Sequence, residues 1–376
     1  SWVLTVGWET VLVSLATLAT ATVFTALGWN GGPVTQVVAL IVVAALVIAA
    51  GVMGFDLILK LQFWITIVTV VLTIGYIVIT VAQGHIDLAA VAALPAGDVP
   101  AVIGGFVFMM TGFGLGWVNA AADYSRYLPR NASSKGVVGW TTFGASVAPV
   151  ILLIFGLLLA GSSAELRDAL GADPIGALST LLPIWFLLPF ALVAILGLVG
   201  GAVLDIYSSG LSLLTAGIKV PRPVAAGIDG VIMVLGAIYV VFIAQDFFFP
   251  FQGFLITLGV PIAAWAGIFL ADTIIRKKGY AEKELYTATG RYGSWRWLPI
   301  ALLVIGSVVG WGFVTNTYAD WLAWQGYFMD AIGGKEGAWA FANLGVLFSL
   351  LIGFLGYLAF GRAAVKKQES TPLDND

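Results

Sequence analysis

The chain has 376 residues, of which 60% are hydrophobic and only 10% charged. Soluble chains carry about 25% charged residues, so composition all but excludes a soluble globular protein. The lack of cysteine removes disulfides, thiol nucleophiles and thiolate metal sites, the single His85 leaves little room for a histidine cage or a Ser-His pair, and a net charge of −3 offers nucleic acid no basic surface.

A membrane-crossing helix needs about 20 mostly apolar residues. Ten such segments are expected: 2–26, 34–55, 57–82, 99–127, 138–160, 181–216, 224–244, 247–275, 297–313 and 339–360. The runs are long and continuously apolar, unlike the short alternating strands of a membrane barrel. The fold class is therefore an all-α polytopic membrane protein. With both termini placed in the cytoplasm, 15 of the 17 Lys and Arg residues fall in inward loops, and only Arg167 and Lys335 face out. This is the skew of a cytoplasmic (inner) membrane protein with both chain ends inside.

The first span contains Gly7-Trp8-Glu9. Glu9 lies about 12 Å into the span at 1.5 Å per residue. Trp8 reads equally as a ligand-facing aromatic or an interface tryptophan, and Glu9 as a site acid or a helix–helix hydrogen bond. The fourth span, GGFVFMMTGFGLGWVNAAADYSRYLPR over 104–130, has Gly112, Gly114 and Gly116 at alternate positions. Glycine costs about 1 kcal/mol at each helix-interior site, so an unwound segment is expected here, exposing backbone groups to a ligand. Thr111, Trp117 and Asn119 flank it. The competing reading is close helix packing through small residues.

The span 181–216 carries Asp205 in LDIYSSGLS, deep in the bilayer beside Tyr207, Ser208, Ser209 and Ser212. A lone carboxylate there is costly and should face a cavity or carry a proton. Asp56, Asp123, Asp229 and Asp272 lie near span ends and read as solvated or paired with nearby Arg or Lys. His85 and the stretch 161–174 read as external loops, and the sequon at Asn131 faces inward. Trp29, Trp295, Trp297, Trp321 and Trp324 read as interface-belt residues.

The run GWVNAAADYSRYLPRNASSKGVVGW resembles the sixth helix and following loop of the nucleobase:cation symporter-1 family, the cytosine and purine permeases. LDIYSSGLSLLTAGI resembles that family's eighth helix, and FLITLGVPIAAWAGIFLADTIIRKKGY its tenth. The resemblance implies a LeuT-like inverted five-plus-five repeat with two extra helices, of which ten of twelve helices are present. Residues 1–82 would be the remnant of the first repeat, 99–276 the second repeat with a broken helix at 99–127, 277–296 a cytoplasmic loop, 297–362 two C-terminal helices and 363–376 a disordered tail. A chain that opens with serine inside a span fits an expectation that the first two helices are missing and that the piece alone does not transport.

The resemblance also implies site roles. A base would stack between Trp8 and Trp117, with Gly114, Gly116 and Asn119 on the broken helix and Glu9, Asp205 and Ser208 supplying polar contacts. Stacking on an aromatic is worth roughly 1–3 kcal/mol per base and tolerates base identity, so hydrogen bonds would select the substrate. The family has Asn where this chain has Asp205. Its sodium-coupled members carry hydroxyls one turn earlier, where this chain has Val199 and Gly200. Proton coupling through Asp205 or Glu9 is therefore expected, with no cofactor beyond the co-transported H+ or Na+ and no metal site. The function expected is import of a nucleobase, cytosine or a purine, by alternating access, with no obligate protein partner. The alternatives are transport of a hydantoin, allantoin or thiamine precursor, or, less favoured, an intramembrane enzyme. An enzyme would need paired catalytic groups at one depth, which one mid-span acid does not provide.

Overall fold

A computed structural model of the chain describes residues 1–53, 55–129, 131–244, 247–317 and 320–370. Arg130 and the side chain of Asp56 lie outside the described residues. The described residues form helices and turns with no strand. In chain order these are α1 (Trp2–Ala26), α2 (Pro33–Met53), α3 (Phe55–Ala82), α4 (Leu88–Ala93), α5 (Val99–Met109), α6 (Gly116–Val118), α7 (Ala121–Ser125), α8 (Ser134–Ser162), α9 (Ala164–Ala172), α10 (Pro174–Ser179), α11 (Ile184–Thr215), α12 (Arg222–Ile238), α13 (Phe248–Ile275), α14 (Glu282–Leu285), α15 (Trp297–Gly312), α16 (Leu344–Phe360) and α17 (Arg362–Ser370). Among the described residues eight helices are long and apolar enough to cross a membrane, or nine if α16 and α17, bent by 53°, are one span. α15 is a shorter apolar helix. Each of the ten expected segments thus contains an apolar helix, and the chain is an all-helical polytopic membrane protein.

Three expectations need correction. The stretch 161–174 is mostly helical, because Ser163 and Asp173 cap α9 and α10: their side-chain oxygens accept from Leu166 N at 3.1 Å and Gly176 N at 2.9 Å. The tail is ordered as α17 up to Ser370, for reasons given below. The glycine-rich segment 110–115 is not unwound but π-helical, with Met109 before it and Gly116 after it in right-handed helical dihedrals; the interruption of the stretch 99–127 is a turn at Asn119 and Ala120. A π-turn leaves carbonyls poorly satisfied. Thr111 Oγ1 donates back to Phe108 O at 2.8 Å and Val107 O at 3.1 Å, so the glycines loosen the helix without opening it.

The helices form two compact units, 1–96 with 122–250 and 97–121 with 251–376. In the first, α1 is packed by α2, α11 and α12 around Val13, Ala16, Val43, Val47, Ala202, Ile206 and Met233. α1 is rich in hydroxyls yet buried. Thr10, Ser14, Thr17 and Thr20 each donate to the carbonyl four residues back, at 2.7–3.0 Å. The hydroxyls are thereby satisfied inside their own helix, as an apolar environment demands.

In the second unit, α5, α13 and α16 enclose Val107, Ile256, Val260, Ala263 and Val346. The helices there approach backbone to backbone. A Cβ on Gly345 would stand 1.9 Å from Gly310 O. Gly345→Ala should therefore force α15 and α16 apart at a cost of about 1–3 kcal/mol, read as a lowered unfolding midpoint of the detergent-solubilised protein. Gly105→Ala, whose Cβ meets nothing within 4 Å, should be neutral or stabilising by about 1 kcal/mol.

α17 owes its order to the loop after α13. Glu369 Oε1 accepts from the backbone N–H of Lys277 at 2.6 Å and Lys278 at 2.7 Å, Gln368 Oε1 accepts from Arg276 Nη2 at 2.9 Å, and Val365 is fully buried. The N–H groups of Lys278 and Lys277 hold the Glu369 carboxyl below its ordinary value. A depressed carboxyl stabilises the folded form above the ordinary carboxylate range and loses that contribution as pH falls through the lowered value. Hydrogen exchange in residues 362–370 should accordingly be slow at neutral pH and accelerate on acidification; Glu369→Gln should accelerate it already at neutral pH.

Candidate functional site

The first unit contains three buried acids on three packed helices: Glu9 on α1 at 0% exposure, Asp205 on α11 at 6% and Asp229 on α12 at 0%. Glu9 lies within electrostatic reach of both aspartates. None of the three pairs with a Lys, Arg or His among the described residues. Nor do three such groups converge closely enough to chelate one metal ion together.

Their environments differ. Asp229, read from sequence as solvated or paired with a base, is fully buried: Oδ1 accepts from Trp2 Nε1 at 2.6 Å and Oδ2 from Ser209 Oγ at 2.8 Å. The misreading came from counting residues to the end of α12, which locates the acid along the helix and not the neighbours that cover it. Asp205 accepts no hydrogen bond among the described residues, although it is as deeply placed as expected. Glu9 has both oxygens buried without a hydrogen bond, and the Ser209 hydroxyl lies close to its carboxyl. That hydroxyl has one proton, which points to Asp229 or to Ile206 O. A protonated Glu9 can therefore donate to Ser209 while Ser209 donates to Asp229.

A second polar layer surrounds this set. Ser208, expected as a substrate contact, is fully buried and its hydroxyl donates to Asp123, which is thus half-buried and bonded instead of solvated. Tyr124 OH donates to Leu204 O at 3.2 Å, and Tyr127 OH shares a short hydrogen bond with Tyr207 OH. Asp123, Tyr124 and Tyr127 of the DYSRY run thus tie it to α11. Trp8 is half-buried one residue before Glu9. At Gly200 the Gln62 amide of α3 takes the space a side chain would need: a Cβ on Gly200 would stand 2.7 Å from its Nε2.

In the second unit, Gly116 is buried, Gly114 is exposed with nothing within 4 Å of a Cβ built on it, Trp117 is 46% exposed and Asn119 is half-buried in the turn between α6 and α7. Sequence reasoning missed Asp229, Ser209 and Gln62. The signal for Ser209 was its spacing from Asp205 on one face of α11, four residues apart; Asp229 and Gln62 lie on other helices, and no local pattern joins them to Asp205.

These environments separate the aspartates experimentally. Asp229→Asn keeps an acceptor for one donor and turns an amide N–H toward the other, and should destabilise by about 1–3 kcal/mol. Asp205→Asn loses no partner and should leave the unfolding midpoint unchanged or raise it. Equal effects at the two positions in a thermal-unfolding series would contradict this assignment.

Comparison with known proteins gives the chain its relatives. The family described as permease for cytosine/purines, uracil, thiamine, allantoin matches residues 1–330. A protein of Bacillus subtilis (strain 168), provisionally named purine-cytosine permease YxlA, is 23% identical over 232 residues, which are 60% of this chain and 48% of that protein. The match thus spans about half the length of this curated relative. No solved structure matches significantly. With a matched region covering most of its apolar helices, the chain belongs to the family of permeases for cytosine/purines, uracil, thiamine and allantoin.

Proposed function

We propose that this chain belongs to a secondary transporter that imports a nucleobase, cytosine or a purine, across the cytoplasmic membrane together with a proton, by alternating access. The observation that carries the reading is the set Glu9, Asp205 and Asp229: three carboxyl groups buried in a membrane helix bundle without a basic partner among the described residues. Unpaired carboxylates in low dielectric are costly, so their charge must be met by a proton or a passing cation. Asp205, with no hydrogen bond to lose, is the proposed carrier, and Glu9 hands a proton through Ser209 to Asp229.

Support for the substrate class comes from the family description and from the name of the Bacillus relative. Trp8, Glu9, Asp205 and Ser208 in the first unit, and Gly114, Gly116, Trp117 and Asn119 in the second, remain the proposed substrate-contact residues. Ser208 contributes only when it lets go of Asp123. The excess of Lys and Arg in alternate loops supports cytoplasmic chain ends.

The test is uptake of radiolabelled cytosine by cells expressing the protein from its own gene. It is run at two external pH values, with and without sodium, and against adenine, hypoxanthine, uracil, thiamine and allantoin. Uptake should rise with an inward proton gradient, and a purine should compete. Asp205→Asn should abolish the pH dependence and keep the competition. Uptake that requires sodium and ignores pH would end the proton reading; indifference to every nucleobase would end the substrate reading.

A further inference from the structure

The second unit holds a lateral cavity of about 260 Å³ that the transport reading does not use. Its walls come from the last turns of α13 and the first turns of α15: Trp265, Phe269, Ile300 and Leu303, with Tyr280 and Arg296 at the polar end. The Trp265 and Phe269 rings stack at 5.5 Å and both are more than a third exposed. Aromatic and aliphatic side chains open to the surroundings fit a hydrocarbon guest.

The polar end carries one uncompensated charge. Asp272 also reaches it, but Arg276 binds that carboxylate through Nε at 3.0 Å and Nη2 at 3.2 Å, and the hydroxyls of Tyr280 and Tyr357 donate to it at 2.5 and 2.8 Å. Arg296 is different. Its Nη2 donates to Tyr357 OH at 3.1 Å, and it pairs with no carboxylate among the described residues. A half-buried guanidinium beside apolar walls presents fixed donors to an anion attached to a hydrocarbon chain.

The depth fits as well. α13 ends at Ile275 and α15 starts at Trp297, so Arg296 sits level with the helix ends, where headgroups lie. Trp295 and Trp297 stack at 5.9 Å and are exposed at that level, as interface-belt tryptophans are. Lys277 and Lys278, exposed just beyond α13, add to the positive field there.

We propose that this cavity binds one anionic glycerophospholipid, with the phosphate on Arg296 and the upper acyl carbons along Trp265, Phe269 and Leu303. The volume takes the head end and the first carbons of one chain; the remainder lies in the bilayer. The inference needs only that the chain is embedded in a membrane and is independent of the substrate.

Purified full chain in detergent is offered equal amounts of dioleoyl phosphatidylglycerol and dioleoyl phosphatidylcholine, and the retained lipid is counted by native mass spectrometry. Wild type should keep the anionic lipid over the zwitterionic one by about tenfold. Arg296→Gln should bring the ratio to about one, and Arg296→Lys should keep part of it. Leu303→Trp, which fills the cavity and leaves the guanidinium in place, should lower retention of the anionic lipid. Millimolar inorganic phosphate should not displace it. Equal retention by wild type, a wild-type ratio in Arg296→Gln, or displacement by phosphate alone overturns the proposal. Where Arg296→Gln does not fold, Leu303→Trp decides, and undiminished retention then overturns it.

Discussion

An apolar surrounding does not forgive an unsatisfied polar atom. That constraint sorts the polar groups of this chain into two kinds. The hydroxyls of α1 turn back onto their own carbonyls, Thr111 stitches its π-turn, and Asp272 collects Arg276 and two tyrosines. These groups are quiet because their needs are met within the fold. Glu9 and Asp205 are buried as deeply and have no such settlement. In the proposed function the partner of such a group arrives from outside, and this contrast carries that proposal.

The same logic explains the divided behaviour of glycine. In the second unit, glycines at 267, 345 and 353 bring helix backbones into contact, where any side chain would collide with a carbonyl oxygen. Gly114 meets nothing at all. One residue type serves as packing surface in one place and as loosened helix in another, and only the neighbours tell the two apart.

The helices were legible in the sequence because a span is a local property: twenty apolar residues with few charges announce themselves without knowledge of their neighbours. The ends of α9, α10 and α17 were not, since they depend on single caps such as Asp173 or on distant docking such as Glu369 to Lys277. The depth of Asp205 could be read from its surroundings in the chain. The burial of Asp229 could not, because it is covered by Trp2 and Ser209, 227 and 20 residues away. Likewise the bare backbone at Gly200 was visible, whereas the Gln62 amide that takes the space beside it comes from another helix. Family resemblance, as a property of sequence, said nothing of who touches whom.

The π-helical turn at 110–115 has a geometric consequence of its own. Such a turn accommodates one residue more than an α-helix does, and each residue of an α-helix advances about 100° around the axis. The buried stripe of Gly104, Val107 and Thr111 continues through Leu115, and beyond the turn Gly116 and Ala120 are buried as well. The buried face thus widens across the π-turn to take in two successive positions, Leu115 and Gly116, and the exposed Trp117 follows directly on it.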